Sequence, residues 1–295
     1  MENKYYIKNN YISNLEPETI ETEDNIYWTE QRINQSYYTR YFLYKFCKKF
    51  IIQNKISSVL DIGCGSAIKL MKFIYPVCHN VYGIDQERIV KFNRKKYKIN
   101  TFYADDIEDS KLNLEKKFDL IISCDVIEHL VNPDKLLSYI KKYSHNNSYI
   151  FITTPDRDIL RGKNCSHSPK KSHVREWNFK EFNNYINSHS FNIIYHDLID
   201  NFRVWPNLIN KIPQIKRDFI SLLYKVRHFN NLKKIKHTQL VGISLNNSKI
   251  ADNEYLKQFI NQNLNQKKRD FFTEVVILFY LSIINLYKIM KRILK

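Results

Sequence analysis

The chain has 295 residues, 43% of them hydrophobic, which is enough to bury one large core or a core with a small appendage. Its net charge of +17 is typical of proteins that bind nucleic acid or acidic membranes, although the lysine-rich composition expected from an AT-rich genome raises the charge without any partner. Five cysteines with neither CxxC nor zinc-finger spacing exclude a zinc module, and the first 14 residues lack the apolar run of a secretory signal, so a cytoplasmic location is predicted.

Helices and strands alternate from about residue 40. A helix is predicted over 37–53, where apolar residues recur at helical spacing. Five apolar runs after it are predicted strands, with helical or turn segments between them: VLDIG, VYGID, TFYA, FDLII and YIFIT. This repeat, with strands that are apolar throughout, predicts an α/β fold, a Rossmann-like doubly wound parallel sheet with helices on both faces.

The regular alternation ends at Pro155, where a long polar loop begins. A loop of this length in a compact domain is usually functional or disordered. Another helix and two strands are predicted beyond it, separated by a basic stretch with eight Lys or Arg against one Asp over 211–237. The predicted organisation is an acidic, helical N-terminal segment at 1–39, a Rossmann-like domain at 40–200 and 238–247, a basic insertion at 201–237 and a basic helical tail at 248–295.

Two of the five glycines lie in the turn VLDIGCGSA, at 59–67. Gly63 and Gly65 allow a tight turn and bring backbone N–H groups against a ligand with no side chain between. The turn departs from the dinucleotide pattern G-x-G-x-x-G because Ile68 takes the third position, so alone it fits either a ligand site or a plain strand–helix turn. Asp85 ends the second strand, where a carboxylate can accept both hydroxyls of a ribose.

Acidic residues also follow the third and fourth strands, at 105–106 and 125–128, so acids mark four successive strand ends. Taken together, residues 40 to about 155 resemble the class I S-adenosylmethionine-dependent methyltransferases. VLDIGCGSA resembles their glycine motif, VYGIDQE the ribose motif, YADDIED the adenine motif and FDLIISCDVIEHL the fourth motif. The family often has a third glycine where this chain has Ala67. The resemblance implies S-adenosylmethionine as cofactor and S-adenosylhomocysteine as its product.

The same resemblance implies which residues bind the cofactor. The expected set is Arg40 and Tyr41 over the carboxylate end, Asp61, Gly63 and Gly65 at the methionine moiety, Asp85 with Gln86 at the ribose, Asp106 with Ile107 at the adenine, and Cys124 after the fourth strand. No metal site is expected, because the acids fall on separate strand ends with other duties.

A narrower resemblance continues into the polar loop. TPDRDILRG and SHVREW, followed by TQL in a late strand, resemble small-molecule methyltransferases associated with glycan biosynthesis, which implies a sugar or glycan precursor as acceptor. Four loop residues are expected to bind it: Arg157, Arg161, Arg175 and Trp177. Guanidinium groups suit phosphate, as in a nucleotide diphosphate, but Arg157 and Arg161 fit loop salt bridges equally well. Trp177 also fits a simple anchor for the turn.

Removing a proton from a hydroxyl or ammonium acceptor requires a base, and two histidines are candidates. His129 follows the fourth strand in E-H-L, where it is either a catalytic residue or a helix-start residue that hydrogen-bonds a loop. His173 lies in KKSHVREW, which is either a substrate site or a charged surface turn. Glu176 is expected to orient His173 or to act as an alternative base.

The C-terminal part leaves several partners open. Residues 271–295 contain 13 uncharged residues between Glu274 and Lys288, short of the about 20 that cross a bilayer. This segment fits a helix lying on an anionic membrane surface, and equally a helix packed on the domain or in a homo-oligomer. The predicted function is methyl transfer from S-adenosylmethionine to an O or N atom of a small molecule. An RNA methyltransferase and a non-catalytic scaffold are the alternatives, although no RNA-binding motif is present.

Overall fold

A computed structural model describes residues 4–19, 26–36, 40–200, 236–245, 254 and 257–260. In these residues, seven strands form one sheet in the order β3-β2-β1-β4-β5-β7-β6. The strands are β1 (Val59–Ile62), β2 (Val81–Asp85), β3 (Phe102–Ala104), β4 (Phe118–Cys124), β5 (Ser144–Pro155), β6 (Ile193–Asp200) and β7 (Lys236–Ser244). The order reverses beside β1, which places a ligand-binding crevice at the carboxyl ends of β1 and β4.

Strands β1 to β5 pair in parallel, and β7 runs antiparallel between β5 and β6. The predicted α/β class and doubly wound sheet are confirmed, with β7 as the strand that departs from a purely parallel sheet. All four residues of β1 are buried, as a strand covered on both faces requires.

Six helices flank the sheet in the described part of the chain: α1 (Glu30–Ser36), α2 (Tyr41–Gln53), α3 (Glu87–Tyr97), α4 (Asp134–Tyr143), α5 (Arg157–Arg161) and α6 (Phe179–Ser188). A π-helical turn, Leu70–Ile74, follows the glycine turn, and a 3-10 turn, Ile127–His129, follows β4. Helix α6 begins with a capping box, in which Asn178 and Glu181 satisfy each other's backbone N–H groups. The connection from β3 to β4 contains no helix, so the predicted strand–helix repeat is interrupted there.

Each face of the sheet has its own apolar layer. Helix α2 packs on one face, where the rings of Phe50 and Phe151 lie 5.2 Å apart. Helices α4 and α6 cover the other face together with Trp177, whose ring stacks on Tyr185 at 5.4 Å. The crevice at the carboxyl ends of β1 and β4 therefore belongs to a sheet that is buried on both faces.

Much of the basic C-terminal part lies outside the described residues. This includes nearly all of the predicted insertion and the whole of 271–295, so the domain boundaries, the membrane contact and the cytoplasmic location stay predictions. Of the tail, Phe259 and Ile260 are buried, and the Phe259 ring lies 6.1 Å from that of Phe46 in α2. No helix in the described ranges has the length and apolar content needed to cross a membrane.

Candidate active site

A cavity of about 1810 Å³ opens at the carboxyl ends of the strands. Its walls are the loops after β1, β2, β3 and β4, the loop at 170–173, and the N-terminal residues 15–19 and 26–32. Most of the residues expected to bind the cofactor line it: Arg40, Gly63, Gly65, Asp85, Gln86, Asp106, Ile107 and Cys124. Tyr41 begins α2, and its side chain is outside the described part of the structure.

The glycine turn needs glycine at both positions for steric reasons. Gly63 has φ +72°, and a Cβ there would lie 2.2 Å from Val126 Cγ2. Gly65 has φ +54°, and a Cβ there would lie 2.6 Å from the Trp28 ring. Both conformations are costly for other residues. The turn therefore presents bare backbone to the cavity.

Asp85 lies at the end of β2 and ties the turn to the neighbouring loop. One carboxylate oxygen accepts from Gly65 N at 2.7 Å and the other from Gln86 N at 2.8 Å. Each carboxylate oxygen can accept more than one hydrogen bond, so the group can still receive ligand hydroxyls. The Gln86 side chain donates to Thr19 O at 2.7 Å, which joins the N-terminal segment to this rim.

Arg40, which is 3% exposed, also lines the cavity. Its guanidinium pairs with Asp125 at 2.6 Å, while its Nη1 has no hydrogen-bond partner among the described residues. Burial raises the pKa of Asp125, but the Arg40 charge and the hydrogen bonds from Arg40 and Thr153 together outweigh burial and hold the pKa at about 2. A buried guanidinium nitrogen without a partner fits the carboxylate of an amino-acid ligand.

Asp61 lies behind the cavity wall, and its contact with the methionine moiety stays a prediction. It is fully buried and accepts from Tyr44 Oη at 2.7 Å, and Tyr44 is the residue that reaches the cavity. Burial raises the pKa of Asp61 to about 7, although the Tyr44 hydrogen bond and the Lys69 charge oppose the rise. Tyr44 lies in the first turn of α2, four residues after Arg40, which precedes the helix with φ 57°.

Two histidines meet at the cavity edge near β4. Their rings lie 4.8 Å apart and nearly perpendicular. His129 Nδ1 contacts Ser172 O at 2.5 Å, and His173 Nδ1 contacts Glu176 Oε1 at 2.6 Å. Burial lowers the pKa of His129 to about 3 and also lowers that of His173. Both rings are therefore neutral at pH 7.

Glu176 is completely buried and fully engaged. It accepts from His173, from Arg161 at 3.1 Å and from Ser168 Oγ at 2.9 Å. Burial raises its pKa, but the contacts with His173 and Arg161 outweigh burial and lower the pKa to about 2. The geometry favours the orienting role for Glu176 over the alternative role of base.

The four residues predicted to bind substrate are used inside the fold, and none of them lines the cavity. Arg157 forms a bidentate pair with Glu181 at 2.6 and 3.0 Å, and Arg161 pairs with Glu176. Arg175 donates to backbone carbonyls after the 3-10 turn, and Trp177 Nε1 donates to Tyr5 O at 2.8 Å. Their predicted role in substrate binding stays a prediction. The salt-bridge and anchor alternatives describe Arg157, Arg161 and Trp177.

No metal site is expected from the sequence, yet three residues that can bind a metal converge in the structure. The ligand atoms of Glu128, His129 and His173 lie within 4.8 Å of one another. They meet because Val174 N and Arg175 N donate to Glu128 O, which folds the polar loop onto the 3-10 turn. No local sequence signal predicts this contact between distant segments.

The strand order, the antiparallel β7 and the glycine turn define a Rossmann-like fold of the class I methyltransferase type. Residues 31–198 match the family described as methyltransferase domain, and the chain belongs to this family. The family uses S-adenosylmethionine, so the resemblance seen in the sequence is confirmed at this level. The glycan-biosynthesis subgroup is a separate matter and stays a prediction.

Curated relatives match over part of their length. A ubiquinone biosynthesis O-methyltransferase of Pelagibacter ubique (strain HTCC1062) is 30% identical over 108 residues, which cover 34% of this chain and 43% of that protein. A protein with the same description from Hydrogenovibrio crunogenus (strain DSM 25203 / XCL-2) is 26% identical over 120 residues, covering 39% and 48%. The chain spans about half the length of the curated relatives it matches.

Solved structures also align with the chain. The methyltransferase domain of bacterial CtHen1-C aligns with a TM-score of 0.48 and 14% identity, over 70% of this chain and 98% of that one. The plantazolicin methyltransferase BpumL, in complex with a triazolic desmethylPZN analog and SAH, aligns with a TM-score of 0.47 and 20% identity, over 73% and 90%.

Proposed function

We propose that the protein transfers the methyl group of S-adenosylmethionine to a hydroxyl oxygen of a small molecule. The supporting observation is the placement of the His129 and His173 rings at one end of a cavity whose other walls are the glycine turn, Asp85 and Arg40. One cavity thus contains groups suited to a nucleoside, to an amino-acid carboxylate and to a hydroxyl acceptor.

The cofactor-binding roles follow from the groups that the walls offer. Arg40 Nη1, buried and without a partner in the described residues, receives the cofactor carboxylate. Asp85 receives the ribose hydroxyls, and the loop at Asp106 and Ile107 covers the adenine. Cys124, the last residue of β4, lies at the cavity wall, and burial raises the pKa of its thiol. The bound cofactor supplies a methyl group already activated on a sulfonium.

Transfer forms an O–CH₃ bond and breaks an S–CH₃ bond, and the acceptor hydroxyl must lose its proton. Holding the oxygen in line with the methyl group supplies much of the rate, up to about 7 to 11 kcal/mol. We assign activation of the hydroxyl to His129 and His173. Glu176 fixes the orientation of the His173 ring through its 2.6 Å hydrogen bond.

The acceptor class rests on the sequence. The SHVREW stretch resembles methyltransferases of glycan biosynthesis, so a sugar or glycan precursor is the acceptor we propose first. The proteins named above carry other descriptions: one is a ubiquinone biosynthesis O-methyltransferase and another is a plantazolicin methyltransferase. These define the competing small-molecule classes.

The test follows labelled methyl groups from S-adenosylmethionine into separate acceptor pools: nucleotide-linked and lipid-linked sugars, quinone precursors, short peptides and total RNA. Label in the sugar pool supports the whole proposal, and label in another small-molecule hydroxyl supports the reaction but overturns the sugar. Label in RNA or on a nitrogen atom would contradict it. Cofactor binding without transfer to any pool would favour the non-catalytic scaffold.

A further inference from the structure

We propose that Glu128, His129 and His173 form a binding site for a divalent transition-metal ion at the acceptor end of the cavity. Their ligand atoms lie within 4.8 Å of one another, and the two histidines line the cavity. Two imidazoles and a carboxylate are a common ligand set for such ions, with further coordination positions left open.

In each histidine, the hydrogen bond made by Nδ1 determines that Nε2 is the nitrogen that can bind a metal. His129 Nδ1 lies 2.5 Å from Ser172 O, and a carbonyl only accepts, so Nδ1 carries the proton. His173 Nδ1 lies 2.6 Å from the Glu176 carboxylate, which leads to the same assignment. In both neutral rings the lone pair is therefore on Nε2. Metal-binding histidines usually donate their other N–H to a carbonyl or a carboxylate in this manner.

Glu128 supplies the carboxyl group of the cluster, and burial raises its pKa. It is 1% exposed, and Oε2 accepts from Thr154 Oγ1 at 3.1 Å. Oε1 is buried and has no hydrogen-bond partner among the described residues. An unpartnered buried carboxylate oxygen is costly, and a cation at the site would satisfy it.

The ligand atoms of the three residues lie farther apart here than they would with a metal ion bound. Atoms bound to one ion at about 2.1 Å lie at most about 4.2 Å apart, so the widest pair must close by some tenths of an ångström or more. The ammonium of Lys170 lies 3.2 Å from His173 Nε2. The metal would displace this amine, because two cations repel each other at such a distance.

The role of the ion rests on the proposed function, whereas its binding does not. An acceptor hydroxyl bound at an open position would lose its proton more readily, since a bound metal lowers the pKa of coordinated water and hydroxyl groups. His173 would then be a metal ligand, in place of the general base predicted from the sequence.

The test titrates the full-length, chelator-treated protein with Co²⁺ by calorimetry, and records the visible absorption of the cobalt and the thermal unfolding. We expect one ion per chain, a rise in the unfolding temperature and a spectrum without thiolate bands. Glu128→Gln and His129→Gln should each weaken binding at least tenfold. His167→Ala removes an exposed histidine of the same loop and should bind like the wild type. Lys170→Met should bind as tightly or more tightly.

Binding of S-adenosylhomocysteine, measured on the same variants, separates the two proposals. Unchanged affinity in Glu128→Gln and His129→Gln shows that the folded cavity is intact, so their loss of cobalt belongs to the metal site. Absence of Co²⁺ binding to the wild type, or equal binding by these variants, overturns the metal site even if methyl transfer is observed. Cobalt binding with no transfer to any acceptor overturns the proposed function and leaves the metal site standing.

Discussion

At the scale of single residues, the orientation of His173 depends on the side chains that it contacts. Glu176 holds the His173 ring, and Arg161 in turn pairs with Glu176. The lone pair at His173 Nε2 consequently faces the ammonium of Lys170, 3.2 Å away, and both residues line the cavity. Removing the ring should remove activation of the acceptor without disturbing the cofactor, whose proposed contacts lie on other walls.

His173→Asn should therefore lower kcat by about 10²-fold or more and leave the affinity for S-adenosylhomocysteine unchanged. Steady-state kinetics and calorimetry measure the two effects separately. His167→Ala serves as the control, since it removes an exposed histidine from the same loop. A fully active His173→Asn enzyme would remove this residue from the mechanism.

At the scale of elements, the loop at 156–177 is buried at both ends, at 156–157 and at 173–177. Backbone hydrogen bonds join it to the N-terminal segment, from Ile12 N to Ser166 O at 2.7 Å and from Asn14 N to Val174 O at 2.9 Å. Its base is fixed by Arg157, which is 1% exposed and pairs with Glu181 at the start of α6. The loop that carries His173 is therefore fixed by the N-terminal segment and by α6.

Breaking the buried pair should destabilise the protein strongly. Arg157→Met leaves the Glu181 carboxylate without its partner, which costs about 3 to 5 kcal/mol. Lys91→Met is the matched control, because it breaks an exposed pair with Glu87, and solvent-exposed pairs contribute little to stability. Urea unfolding measures both. Equal losses in the two variants would contradict the structural role of Arg157.

The elements also show what the sequence can predict. The strands and the glycine turn have local signals, since burial on both faces produces continuous apolar runs and positive φ favours glycine. The contacts of Arg157 and Trp177 have no local sequence signal. Their partners, Glu181 and Tyr5, lie in other segments of the chain. An arginine in a polar loop fits a phosphate and a buried carboxylate equally well until the fold brings one of them near. For the same reason, Glu128 could not be connected with His173.

At the scale of the whole molecule, the sheet carries its cavity at one end and a half-buried histidine at its far edge. His196 in β6 stacks on Phe179 at 3.7 Å and contacts Gln239 at 3.0 Å. Burial lowers its pKa from 6.5 to about 4, although the Gln239 hydrogen bond opposes the shift. Between about pH 6.5 and pH 4, His196 is therefore protonated in the unfolded chain and neutral in the folded chain.

Stability should fall as the pH falls from about 6.5 to about 4, with up to about 3 kcal/mol from His196 alone. Below about pH 4 this residue adds no further change, because both states are protonated. Urea unfolding of the wild type and His196→Gln across this range measures the difference, and His167→Ala should keep the wild-type slope. Identical slopes for the wild type and His196→Gln would show that burial does not shift this histidine.

The central claim is that the cavity binds S-adenosylmethionine through the turn after β1 and the carboxylate of Asp85. Calorimetry with S-adenosylhomocysteine tests it most directly. The wild type should bind one molecule per chain, and Asp85→Ala should bind at least tenfold more weakly, through the loss of hydrogen bonds to a charged group. Glu254→Ala, an exposed acid outside the cavity, should bind like the wild type. No binding by the wild type, or equal affinity for Asp85→Ala, would contradict the account.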